Sequence, residues 1–131
     1  MIYLIRGLPG SGKSTYAKNL NCLHLEADMF HMMNGEYKFD VSNLSKAHHW
    51  CSSTFLKSIE DGIDDIVVSN TFTTIRELEP YIKICKFYNR DYKIIRMTNN
   101  YGSVHNVPEE VIAKMSKRFE DIEGEIIIGN I

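Results

Sequence analysis

Apolar positions along the chain change period repeatedly, and each change marks the boundary of an element. Residues 2–6 form a short β-prone run that stops at Gly7, and residues 12–20 behind it suit a helix. Residues 23–26 predict a second strand, followed at once by Asp28. Residues 34–40, with Gly35 among tyrosine, lysine and phenylalanine, read as a loop. Ser42 is placed to cap a helix carrying Leu44, Ala47, Cys51, Phe55 and Ile59 on one stripe. Residues 66–69 are a β-branched run of the kind that is covered on both faces. Thr74 and Glu77 match a capping box, and Ile75, Leu78, Ile82 and Cys85 then share a helix face. Residues 92–97 predict another strand, and the polar, glycine-containing stretch 99–106 predicts a loop. Pro108 suits a first helical position, Glu109 and Glu110 complement the helix dipole, and Val111, Met115, Phe119 and Ile122 continue the apolar face. Residues 125–128 predict a last edge strand.

Strands that alternate with helices need crossover connections, which give an α/β fold: a short, mainly parallel sheet flanked by helices in three layers. At 131 residues, without repeats or a linker-like stretch, the chain is expected to form one domain over residues 1–131. Ligands of such sheets sit beyond the carboxyl ends of the strands. Gly7, Asp28, Asn70 and Asn99 all follow predicted strands, so topology alone gathers them on one edge.

Gly7-Leu8-Pro9-Gly10-Ser11-Gly12-Lys13-Ser14, followed by Thr15, matches the phosphate-binding loop of nucleotide triphosphatases and kinases. Glycines let backbone N–H groups turn inward around phosphates where a Cβ would obstruct them. Lys13 can set an ammonium against the β- and γ-phosphates of ATP, and Ser14 can offer its hydroxyl to Mg²⁺. The helix that follows aims its positive dipole end at the same anion. A chain of this length meets the motif by chance only about 0.5% of the time.

Other residues allow two readings each. Asp28 can orient a hydroxyl nucleophile and take its proton, or cap the turn that follows it. Asn70, at the end of the third predicted strand, can hold a magnesium-bound water or a substrate group, or serve as a turn residue. Asp64 and Asp65 precede that strand and so belong to its opposite end. The 99–106 loop stands where a lid would close, yet it holds His105 and no arginine or lysine. Arg76 and Arg96 are alternative cation donors, whereas Arg6, Arg90 and Arg118 read as surface or structural residues. Trp50, Phe30 and Phe55 read as core, and His48 with His49 lacks the second ligand pair of a zinc site. Tyr37, Lys38 and Phe39 could hold a nucleic-acid end.

Composition narrows the partner only slightly. Fifteen basic against 17 acidic residues leave a net charge of −2, which argues against a protein that coats DNA without specificity. The three scattered cysteines, Cys22, Cys51 and Cys85, read as reduced thiols. No apolar run reaches membrane length. A cytoplasmic protein without a membrane partner is the expectation.

Residues 7–15, Glu26 to Phe30, the Gly35-Glu36-Tyr37-Lys38 loop, residues 69–72 and His105-Asn106-Val107-Pro108 together resemble the polynucleotide-kinase-like phosphate-loop kinases. The likeness runs in order over nearly the whole chain and is nearest to small phage-encoded members and the NEDD4-binding protein 2 group. It implies ATP-dependent phosphorylation of a 5′-hydroxyl on single-stranded or 5′-end nucleic acid. Lys13 and Ser14 would then handle ATP and Mg²⁺, with Asp28 as general base. The family's phage enzyme carries an aspartate where Asn70 stands and a lid arginine near Gly102, and this chain departs from it at both places. A kinase of a small metabolite, nucleoside or nucleotide, and a weakly catalytic ATP-binding regulator, are the alternatives.

Overall fold

The computed structural model describes residues 1–32, 44–101 and 107–129. Along the chain run β1 (Ile2–Gly7), α1 (Lys13–Lys18), β2 (Leu23–Leu25), a 3₁₀ turn over Ala27–Met32, α2 (Leu44–Glu60), β3 (Ile66–Asn70), α3 (Ile75–Phe87), β4 (Tyr92–Met97), α4 (Glu109–Arg118) and β5 (Ile126–Ile128). The strands make one sheet in the order β2-β3-β1-β4-β5, and each neighbouring pair is parallel. Parallel neighbours can be joined only by crossovers, so the alternation of periods in the sequence becomes the α/β architecture expected from it. The chain builds β2 and β3 to one side of β1 and then crosses to lay β4 on the other. The order thus reverses around β1, the point where such sheets open a crevice for a ligand.

Alternation along the strands divides the interior into two layers. Ile2 and Leu4 of β1 and Ile66 and Val68 of β3 lie under α2 and α3, with Ala47, Cys51, Phe55, Ile59, Leu78, Tyr81 and Cys85. Ile5, Val67, Ile95 and Met97 point the other way and meet Ala17 of α1. Three stripes differ in part from the expectation. Leu44 and Ile75, in the first turns of α2 and α3, remain exposed. Tyr81 is buried beside the expected Leu78 and Cys85, on the i, i+3, i+7 face, while Ile82 is partly buried and packs against the same core. Its ring meets Phe55 and Phe72 at centroid distances of 5.2 and 5.4 Å. No residue of α4 is fully buried; Met115 is half-buried, as are Phe119 and Ile122 beyond the helix end, and these three carry the predicted stripe inward. Cys22, Cys51 and Cys85 are free thiols. Among the described residues no helix is long and apolar enough to cross a membrane. Ser42, the 34–40 loop and residues 102–106 lie outside the described residues.

One charged side chain belongs to the core. Arg6, at the end of β1, is fully buried. Its Nε donates to Phe72 O at 2.9 Å, Nη2 to Thr73 O at 3.1 Å, and Nη1 to Glu120 O and Glu125 Oε1 at 2.8 Å each. Register sets it beside Arg96 of β4, and both guanidinium groups stack on Phe119, 4.2 and 4.7 Å from its centroid. The expected structural role of Arg6 is therefore met by burial and not at the surface. A buried arginine is tolerated because all three nitrogens have acceptors and a carboxylate balances the charge.

Candidate functional site

The phosphate loop begins where β1 ends. Gly7 N–H donates to Thr71 O at 3.2 Å and Ser11 N–H to Leu8 O at 3.0 Å, which folds the loop back over the strand end. A Cβ on Gly7 would stand 2.3 Å from Ser11 Oγ and 2.9 Å from the Met97 carbonyl oxygen, so the close approach demands glycine. Gly12, with φ +87°, enters α1 from the left-handed region. The Tyr101 ring covers it, and Tyr101 N–H donates to Gly10 O at 2.7 Å. Gly7→Ala is expected to cost about 1–3 kcal/mol through overpacking against backbone. A thermal melt reads the loss, and an unchanged melting temperature would show that the loop can shift.

The loop is suited to hold a phosphate chain. Lys13 makes no hydrogen bond or ion pair with a described residue. Burial lowers its pKa from the ordinary lysine value, and the Glu26 and Asp28 carboxylates oppose that shift. Ser11 Oγ is buried without a partner, a cost that an oxygen-rich ligand would relieve. An ammonium with no partner among the described residues, an unsatisfied hydroxyl and a glycine-lined backbone fit a polyphosphate.

Residues from the ends of β2 and β3 complete the site. Glu26 follows β2 and accepts at Oε1 from Ser14 Oγ at 2.5 Å and Ser69 Oγ at 2.8 Å. His24 Nε2 lies 3.0 Å from the same oxygen and 2.7 Å from Ser69 Oγ. Burial pushes the Glu26 carboxyl up, but bonds from His24, Ser14 and Ser69 outweigh it and hold its pKa at about 2. In the sequence Glu26 stands only as a neighbour of Asp28, without a role of its own, because its contacts join residues 12 and 43 positions apart.

Asp28 lies in the first turn of the 3₁₀ segment, inside it and not as its cap. It is half-buried and within electrostatic reach of Lys13. Asn70 has both ends of its amide committed, Oδ1 accepting from Ala27 N–H at 2.8 Å and Nδ2 donating to Cys51 Sγ at 3.7 Å. It pins the start of the segment that carries Asp28, which places Asp28 by a bond formed between neighbouring strand ends.

The candidate cations separate clearly. Arg96 is engaged by Asp121, and by Glu125 at 3.4 Å, so its guanidinium serves the Arg6 cluster. Arg118 Nε donates to Thr73 Oγ1 at 3.2 Å, and Arg90 Nη2 to the Ile63 and Asp64 carbonyls. Arg76 is exposed at the start of α3. Gly102, His105 and the Tyr37-Lys38-Phe39 stretch lie outside the described residues. Phe55 is core, whereas Phe30 and Trp50 are partly buried and line a cleft with Lys46 and His49. No group of three or more His, Cys, Asp or Glu among the described residues could hold a metal by itself.

Residues 2–98 match the AAA domain family. Human NEDD4-binding protein 2 is 29% identical over 92% of this chain, which spans only 8% of that protein's length. The Pnkp1/Rnl/Hen1 RNA repair complex contains a chain that superposes with a TM-score of 0.60 at 18% identity, over 94% of this chain and 40% of that one. The Mycobacterium tuberculosis APS kinase CysC, in complex with AMPPNP and APS, superposes with a TM-score of 0.62 at 14% identity, over 98% and 87%. At these identities the structural likeness is one of fold. The loop, the all-parallel sheet reversing at β1 and the match over residues 2–98 converge: the chain belongs to the AAA domain family and carries a phosphate-loop motif at the end of β1.

Proposed function

We propose that this chain transfers the γ-phosphoryl group of ATP to a hydroxyl, with the 5′-hydroxyl of a nucleic acid as acceptor. One observation carries the reading: Asp28 lies half-buried in the 3₁₀ segment just beyond β2, within electrostatic reach of the phosphate-loop lysine. A carboxylate there can meet a hydroxyl presented to the γ-phosphate. The acceptor oxygen forms a bond to phosphorus, the bond from phosphorus to the β,γ-bridging oxygen breaks, and ADP departs. The hydroxyl proton passes to Asp28. Lys13 and the inward N–H groups hold the phosphates and balance the charge on the transferring group. Mg²⁺ at Ser14 would supply further charge neutralisation across the phosphate oxygens.

The nucleic-acid acceptor is supported by the sequence likeness to polynucleotide kinases and by the fold shared with the RNA repair complex. A small hydroxyl-bearing acceptor is favoured by the net charge of −2 and by the likeness to APS kinase. Incubation with γ-labelled ATP decides between them. The acceptors are a 5′-hydroxyl oligonucleotide as DNA and as RNA, its 5′-phosphorylated twin, and a panel of nucleosides and sugars. Label on the 5′-hydroxyl strand and none on its twin is expected. Label on small acceptors alone would move the assignment to a metabolite kinase, and ATP binding without transfer would leave a nucleotide-binding regulator.

A further inference from the structure

The end of β3 carries Asn70, an amide and not an acid, and that amide is spent on Ala27 and Cys51. The acid that reaches the loop comes instead from the neighbouring strand end. Glu26 Oε1 accepts the Ser14 hydroxyl proton at 2.5 Å. A serine hydroxyl has one proton and two lone pairs. Giving its proton to Glu26 leaves the Ser14 lone pairs for a cation. Ser69 and His24 fix the same carboxylate oxygen from the β3 and β2 sides. Among the described residues nothing donates to Oε2, and the Glu26 side chain keeps 17% of its surface exposed. A purely structural tie between strands would not require a charge beside Lys13, and Glu26 acts on the Lys13 ammonium electrostatically.

We propose that Glu26 is the carboxylate that orders the divalent cation of the bound nucleoside triphosphate, acting with Ser14 from the β2 edge. The inference rests on the reading of the loop as an ATP site. Glu26 is a positioning residue toward Ser14 and a candidate cation partner through Oε2 or a water held there. His24 and Ser69 keep it in place.

The test is the metal dependence of nucleotide binding, read without turnover. ATP is titrated calorimetrically into wild type and Glu26→Gln, in EDTA and in Mg²⁺. Affinity in EDTA is expected to be equal or higher in the variant, since a carboxylate no longer faces the phosphates. The gain in affinity on adding Mg²⁺ is expected to fall by about 10- to 100-fold, the usual cost of losing a group that orients a metal ligand. An equal Mg²⁺ gain in both proteins would overturn the proposal and leave Glu26 as a strand tie. If wild type binds ATP in neither condition, the ATP reading itself fails, an outcome distinct from a lost metal response. If Glu26→Gln melts below the assay temperature, Glu26→Asp replaces it. The shorter carboxylate is then expected to change the ratio of Mg²⁺ to Ca²⁺ gains, and an unchanged ratio would overturn the proposal.

Discussion

Asp28→Asn is expected to reduce phosphoryl transfer by about 10²–10⁴-fold, the usual share of a positioned general base. The amide has the shape of the carboxylate but cannot take the acceptor proton. ATP affinity should stay within about twofold of wild type, because a group needed only in the transition state leaves ground-state binding intact. The loss should therefore appear in kcat and equally in kcat/KM for the acceptor. Asp28 sits in a 3₁₀ segment whose first residue is held by Asn70, so a melting curve matching wild type separates lost chemistry from lost structure. Transfer at the wild-type rate would remove Asp28 from the mechanism and return the search for a base to the other acids near Lys13.

Arg6→Met is expected to destabilise the protein by about 3–5 kcal/mol, the cost of breaking a buried ion pair from one side. The substitution strands Glu125 in the interior and removes the donors to the Phe72, Thr73 and Glu120 carbonyls. Arg96 lies 3.4 Å from the other Glu125 oxygen and offsets part of the loss. For a domain of this size the melting temperature should fall by about 10–20 °C. Arg6→Met with Glu125→Leu should recover part of that, since the second change removes the stranded charge. Thr73 O keeps the Glu120 N–H at 2.8 Å, but the Phe72 and Glu120 carbonyls still lack the Arg6 donor, so recovery should be incomplete. A single variant within about 1 kcal/mol of wild type would show that the C-terminal segment does not depend on this cluster. Because Gly7 follows Arg6 directly, weaker nucleotide binding should accompany the loss of stability.

Local signals carried much of the fold. The glycine spacing from Gly7 to Gly12, the β-branched run of β3 and the Glu77 cap of α3 each act within a few residues. The Thr74 N–H indeed donates to Glu77 Oε2 at 3.1 Å. Tyr81 joined the stripe of Leu78, Ile82 and Cys85 because its ring meets Phe55 and Phe72, contacts that periodicity cannot see. Arg96 was offered as a cation for the site because it lies late in a strand. The sheet register instead sets it beside Arg6, and Phe119 and Glu125 return from the chain end to occupy it.

From the sequence alone came the α/β alternation, the phosphate loop and the set of polar residues on one sheet edge. They are legible because propensity, spacing and strand polarity act along the chain. Tertiary structure decided which of those polar residues meet. Glu26 reaches Ser14 and Ser69, Asn70 turns to Ala27, and Arg6 closes on Glu125 across 119 positions. Such pairs depend on strand order, register and side-chain direction, which are set only when the sheet assembles and the buried charges must find partners.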